Sequence, residues 1–520
     1  MRRFLPVLGL FALSACGGGG SSGSSGTPAI ATLSVTLTPA TQAATASEDA
    51  SETTLSFDAV QAGTTSDPVF ADLQYDKAVL AQQGSIVQGA GKYSVSFKTL
   101  KDLGGGIYKG NVTFRLCRDA ACAVVYPGST QTFAYNFNVQ LKEWEALQRN
   151  AAHTGYVHAT FDPANFTKGW EWAPVGTNDI AGVATRSGSV VVSRTNADGT
   201  HSVHALASAS GSEQWGYNLG SVYSASAPSI AGDQVFVSSM VISSSSNQNV
   251  VLNATTGQYV RAMLFPAQWS YFMPPTPYGG GLYQASGYFG NVVYAYDPAT
   301  GGTSWTVNGK GGNIWDGETP AVDDKYVYYY SGASLDVFDR TTGVLFKSIP
   351  DPFFAWAGYS YNGGPLLGSA GNILAYSGSY NGGGNGAPKP LVNFGLSAGV
   401  YRWRTSDVYE TVPALAKGVV YVARNGPARL DAISEDTGGV LWSWTPPAGE
   451  AFRGNAVATD TLVFVSTDRN VYAVSLTGTH ASAWSAAASG DLAISSEGRL
   501  IVTSRRTSLA KLVTFNLRAP

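Results

Sequence analysis

The sequence predicts an all-β protein in two parts, a small β-sandwich followed by an eight-bladed β-propeller, and three observations predict it. Sixty-one glycines, 27 tyrosines and 12 tryptophans occur with few helix-forming stretches, a composition that suits short strands joined by tight turns. Residues 28–141 alternate apolar and polar side chains with a period of two. From residue 142 to 520 a single turn motif returns seven times.

The first sixteen residues, MRRFLPVLGLFALSAC, place Arg2 and Arg3 ahead of an apolar run from Phe4 to Leu13. That run is too short to span a bilayer as a mature helix and reads as a secretion signal. Its end, Leu13-Ser14-Ala15-Cys16, resembles the lipobox of bacterial lipoproteins. The resemblance implies cleavage before Cys16 and diacylation of that cysteine, so that the membrane is reached through a lipid anchor. Residues 17–27 are rich in glycine and serine and suit a flexible tether. Gly17 rather than Asp follows the cysteine, which by the lipoprotein pattern implies the outer membrane, facing the periplasm or the cell exterior. A net charge of −3 with 13% charged residues excludes a basic nucleic-acid surface; a monomer is expected.

In the segment 28–141 the alternation runs through Leu33, Val35 and Leu37, then Tyr93, Val95 and Phe97, Val112, Phe114 and Leu116, and Phe133, Tyr135, Phe137 and Val139. Strands of this length with turn signals between them predict a two-sheet sandwich. The stretch DLGGGIY, Asp102 to Tyr108, resembles the tyrosine corner of immunoglobulin-like domains. Cys117 and Cys122 are read as a disulfide clipping one hairpin, with a redox-active pair as the alternative; no histidine lies near enough for a metal site.

The repeat appears when the chain is aligned on the turn glycines Gly211, Gly257, Gly301, Gly343, Gly399, Gly438 and Gly478, spaced by 39 to 56 residues. This is the period of a four-stranded propeller unit, and the insertion GSYNGGGNGAPKP accounts for the longest interval. Asp297, Asp339 and Asn253 open their turns by accepting backbone N–H groups ahead of them. Trp215, Trp305, Trp403 and Trp442 stand four residues past a glycine and are expected to fill the wedge between splayed blades. After the seventh motif the chain has material for three more strands, and FTKGWEWAPV, with Trp170 and Trp172, offers the missing outer one. The expectation is eight blades closed by this clasp, with seven as the alternative.

The strand VVYAYDPATG with its trailing Trp305 is similar to the pyrroloquinoline-quinone (PQQ)-like propeller repeat, and WEALQRNAAHTGY resembles the lead-in segment of its lipoprotein members. The resemblance covers residues 144–520. It implies either a quinoprotein dehydrogenase or a non-catalytic propeller, such as a lipoprotein of the outer-membrane β-barrel assembly machinery. An active quinoprotein needs a calcium-binding acid and amide cluster, a base Asp and, in alcohol dehydrogenases, two adjacent cysteines. The propeller segment has no cysteine and its acids are scattered through turns, so no cofactor (PQQ included), metal ligand or catalytic residue is expected. GLSAG, Gly395 to Gly399, matches the nucleophile-elbow pattern but falls in register with the repeat turn. His201 and His204 are three apart on a strand and face opposite sides, and His153 and His158 are read as structural.

The linkers between one blade's outer strand and the next blade's inner strand repeatedly carry aromatic residues: Tyr223, Trp269, Tyr271, Trp315, Trp356, Tyr359, Tyr361, Tyr409 and Phe452. Asp316, Glu318, Asp407, Glu410 and Arg453 accompany them. These rings form either a stacking platform on one rim or covers for the ends of adjacent blades. The functional reading is a non-enzymatic, lipid-anchored binding or scaffold protein whose rim takes a protein partner or a glycan. Two enzyme readings remain as alternatives, a degenerate quinoprotein and a hydrolase or lyase acting on polysaccharide through Asp316 and Glu318.

Overall fold

The computed structural model describes residues 30–241, 247–265, 274–285, 293–308, 319–331, 333–353, 364–377, 389–504 and 510–518. Two compact units emerge: the described parts of Met1–Gln42 with Thr54–Lys98 and Lys109–Tyr135, and Ala43–Thr53 with Thr99–Tyr108 and the described parts of Asn136–Pro520.

Two antiparallel sheets build the N-terminal region. One runs in the order Ser34–Thr38, Thr54–Ala62, Lys92–Thr99, Leu80–Gln82, and the other in the order Thr41–Ser47, Gln131–Gln140, Gly106–Cys117, Phe70–Gln74. The period-two residues Leu55, Phe57, Val95, Phe97, Phe114 and Phe133 are buried. Phe57 from the first sheet stacks on Phe133 from the second at 4.9 Å, so the two apolar faces meet as a sandwich core. Cys117 ends its strand and is disulfide-bonded to Cys122, with Cα atoms 5.0 Å apart. Between them Asp119 holds the turn by accepting the N–H groups of Ala123 and Val124, both at 3.0 Å.

The C-terminal region is a β-propeller. Among the described residues it consists of eight antiparallel sheets, the first seven following chain order from inner to outer strand. The first seven lie within residues 177–220, 224–264, 276–307, 321–350, 366–404, 414–444 and 452–486. The eighth takes three strands from Asp491–Ile494, Arg499–Thr503 and Leu512–Asn516, and its outer strand is Thr167–Trp172. Pairing there is antiparallel, with Glu171 opposite Val513. Thr514 hydroxyl secures the join by donating to the Trp170 carbonyl at 3.0 Å and accepting from the Trp170 N–H at 2.9 Å. Apolar clusters fill the junctions between successive sheets, for example Tyr283, Val293 and Ala295 of the third against Val327, Tyr329 and Phe338 of the fourth.

The outer-strand tryptophans do more than fill space. Trp215, Trp305 and Trp403 pack on the turn glycine of the next sheet, not their own, whereas Trp442 stacks on the His480 ring at 4.2 Å and leaves Gly478 open. Trp215 lies over Gly257, Trp305 over Gly343 and Trp403 over Gly438, so close that an added Cβ at the glycine would stand 2.5 to 2.7 Å from the indole Cδ2. Each indole N–H then donates to the carbonyl three residues before that glycine: Ala254 at 3.1 Å, Arg340 at 3.0 Å and Glu435 at 2.8 Å. Trp170 makes the same contact on Gly211, donating to Ser208 at 2.7 Å, and so carries the repeat across the join between the eighth and first sheets. GLSAG occupies the turn between Leu391–Gly395 and Val400–Arg404, two strands, where a nucleophile elbow would need a strand followed by a helix.

Candidate functional site

The lead-in segment, residues 144–159, lies along the inner ends of the blades. Its carbonyls accept backbone N–H groups from one sheet after another: Trp144 from Thr185, Glu145 from Ile230, Ala151 from Val322, Ala152 from Leu367, Thr154 from Leu415 and Gly155 from Ala458, all at 2.7 to 2.9 Å. These donors belong to the first, second, fourth, fifth, sixth and seventh sheets, so the segment circles the axis as a strap. Every donor stands next to the first hairpin of its sheet, which places the strap on the face of the glycine turns. In a propeller the blade-to-blade linkers lie on the opposite face.

Side chains from the strap fill the axis. The amide of Gln148 donates to the carbonyls of Pro413 at 2.6 Å and Ala456 at 3.1 Å and accepts from Asn455 at 2.6 Å. Asn455 in turn bonds both backbone groups of Leu492. His153 is buried, with Nδ1 2.8 Å from the Pro365 carbonyl, an acceptor that requires the proton on Nδ1. Burial pushes its pKa down to about 4, so the imidazole is neutral. Arg149 is buried in an ion pair with Glu48. The axial cavity that remains is 130 Å³, walled by Trp144, Leu147, Val183, Val412 and Leu492 with Asp491 as its carboxylate. That volume lies below the roughly 300–1,000 Å³ of ordinary ligand pockets. The described residues also contain no group of three His, Cys, Asp or Glu able to hold a metal ion.

On the linker face, Tyr223 is 45% exposed. Tyr409 and Phe452 are 0% and 1% exposed, so these two rings are covers of the blade interior and present no stacking surface. Phe452 meets Trp444 edge to face at 6.2 Å. Tyr409 donates to Asp431 at 3.1 Å, and burial, reinforced by that carboxylate, raises its pKa. Asp431 is fully buried, and Arg429 pairs with it at 2.6 Å while also reaching Asp407 at 3.2 Å. Arg424 completes the cluster through Asp407 at 2.9 Å. Two cations thus balance two carboxylates, and the group closes on itself. Glu410 accepts from Asn425, and exposed Arg453 turns back to the Phe452 carbonyl at 3.2 Å. Cys16, Trp269, Tyr271, Trp315, Asp316, Glu318, Trp356, Tyr359 and Tyr361 lie outside the described residues.

His204 accepts or donates to Ser202 at 2.8 Å and lies 3.3 Å from Glu213, while His201 is buried on the same strand without joining that cluster. Sequence reasoning missed the roles of Glu145, Gln148 and Asn455. Only a lead-in pattern marked the strap, and nothing local marks Asn455 as its partner.

A sequence model of the family described as outer membrane protein assembly factor BamB matches residues 153–286 and 393–518. No curated protein sequence matches the chain. The crystal structure of BamB from Moraxella catarrhalis is similar with 16% identity and a TM-score of 0.48, over 68% of this chain and 98% of that one. With matched segments that together make up half of its 520 residues, the chain belongs to the outer membrane protein assembly factor BamB family, a family of PQQ-like β-propellers.

Proposed function

We propose that the protein is a lipid-anchored outer-membrane scaffold, monomeric and non-enzymatic, that presents an eight-bladed propeller to a protein partner. The family match over residues 153–286 and 393–518 carries this reading, because the family's description names outer-membrane protein assembly. Support for eight blades comes from the eight propeller sheets and from Thr167–Trp172, which gives the last of them its fourth strand. The axis filled by Gln148, Asn455 and the strap suits a rigid ring that binds with its faces. For an immunoglobulin-like sandwich, the two-sheet pairing and the Tyr108 hydroxyl, which donates to the Gly104 carbonyl at 2.8 Å, are the supporting features. Anchoring through Cys16 rests on the Leu13–Cys16 pattern and the glycine and serine tether after it.

Affinity capture of tagged protein from detergent-solubilised outer membranes tests the reading. Co-purification of a defined membrane-protein assembly is the expected result; recovery of a glycan alone would replace the protein partner with a sugar. Cys16→Ser should move the protein from the membrane to the soluble fraction, since acyl chains supply the membrane affinity. A variant that still sediments fully with membranes would overturn the anchor.

A further inference from the structure

On the turn face, between the second and third sheets, lies a groove of about 600 Å³. Its walls are three turns: Ala231 to Gln234, Pro277 to Gly281, and Pro298 with Ala299. Glu145 of the strap and Phe236 complete it. Two of the wall positions, Gly232 and Gly280, face open space where a side chain would otherwise stand. The result is a slot with apolar and backbone walls and a carboxylate at one end.

The charges around the slot are unequal in their freedom. Asp233 is paired with Arg186. Arg261 is spent on the carbonyls of Pro298 and Ala299, and Arg340 lies over the Tyr278 ring at 5.7 Å. Lys142 is paired with Asp49, Arg149 with Glu48, and Glu143 accepts from Thr185 and Ser496. Glu145 differs from all of these: among the described residues no hydrogen bond or ion pair engages its carboxylate. We propose that this groove receives an arginine side chain from a protein partner, with Glu145 taking the guanidinium and Pro277, Pro298 and Ala299 lying along the aliphatic stem. Glu145 is exposed at the groove; the desolvation it meets raises its pKa, and the nearby charges of Lys142 and Arg149 offset this only in part. A long basic side chain matches both halves of the slot, apolar along its length and charged at its tip.

The inference rests on the scaffold reading but not on the linker face, and its test reads the groove directly. Ligand-observed saturation-transfer NMR on the full-length protein would use three probes: N-acetyl-arginine amide, its neutral isostere N-acetyl-citrulline amide, and spermidine. The arginine probe should give a saturable signal that the citrulline probe lacks. Glu145→Gln should weaken it about tenfold, equal to 1.4 kcal/mol, and Ala299→Trp should block it, while Glu143→Gln leaves it unchanged. Acidification should abolish the signal as Glu145 takes up its proton, at a pH above that for an ordinary glutamate. Unaltered arginine binding in Glu145→Gln, no arginine signal at all, or binding of spermidine alone would each overturn the proposal. Failure here with a successful membrane capture would leave the scaffold and remove the groove.

Discussion

The position four residues past the first five turn glycines is held by Trp215, Arg261, Trp305, Lys347 and Trp403, and past the last two by Trp442 and Ser482. The first five, three indoles, a guanidinium and an ammonium, share one property, an N–H that reaches the next sheet's turn. Lys347 donates to the Leu396 carbonyl at 2.8 Å and Arg261 to the Pro298 carbonyl at 3.2 Å, the same acceptor position the indoles use. At these five junctions the common element is therefore the donor and its receiving turn, while at the next one Trp442 uses its ring face on His480 instead. Trp403→Ala should cost roughly 3–5 kcal/mol in denaturant unfolding, as for other buried aromatic truncations, and Trp403→Arg should recover part of it. Gly438 has φ +71° and would place a Cβ 2.7 Å from Trp403. Gly438→Ala should thus cost about 1–3 kcal/mol, and less in the Trp403→Ala background, where the steric part is gone. Additive losses in that double-mutant cycle would rule out the contact as the cause. Tyr223→Ala should change stability by less than about 1 kcal/mol, because the ring is half exposed.

Among the elements, the glycine turns were legible in the chain because their causes are local: an Asp or Asn acceptor, a residue free to take positive φ, and a tryptophan at fixed spacing. The clasp was legible by arithmetic, since three strands remained after the last turn and Trp170 stood in the place of a repeat tryptophan. The strap's course was not. Gln148 pairs with Asn455 across 307 residues, and no periodicity announces a bond of that range. The linker aromatics were legible as a set but not as individuals; Tyr223 and Tyr409 occupy equivalent linkers, and only the packing of Asp431 and its neighbours buries the second. For the clasp, Thr514→Val keeps the volume but leaves the Trp170 N–H and carbonyl without their partner. An unfolding loss of about 1–3 kcal/mol is expected; an unchanged melting temperature would show that the strand pairing alone holds the join.

At the scale of the whole molecule, the strap makes stability depend on pH. His153 titrates near 4 when folded against 6.5 for an unperturbed histidine. Between those values the unfolded chain binds a proton that the folded chain refuses, so the contribution is intact above about pH 6.5 and is lost as pH falls toward 4. The full difference is on the order of 3 kcal/mol. Burial depresses His201 and His204 in the same direction, so they add to the same acid window. Urea unfolding of wild type and His153→Gln at pH 7.5 and pH 4.5 should show a smaller acid loss in the variant; equal losses would assign the effect to other groups.

The bond between Trp170 and Thr514 spans 344 residues. A ribosome or export channel that delivers this chain from its N-terminus therefore releases Thr167–Trp172 long before its neighbour exists. Until Leu512–Asn516 emerges, that strand has an unsatisfied edge and the first blade has no seal on one side. Leu512–Asn516 thus acts as a completion signal: a chain lacking it leaves Thr167–Trp172 without its partner and the ring of sheets open, a species whose bare edges invite proteolysis or mispairing. Quality control of this protein can be decided by whether one short strand arrives.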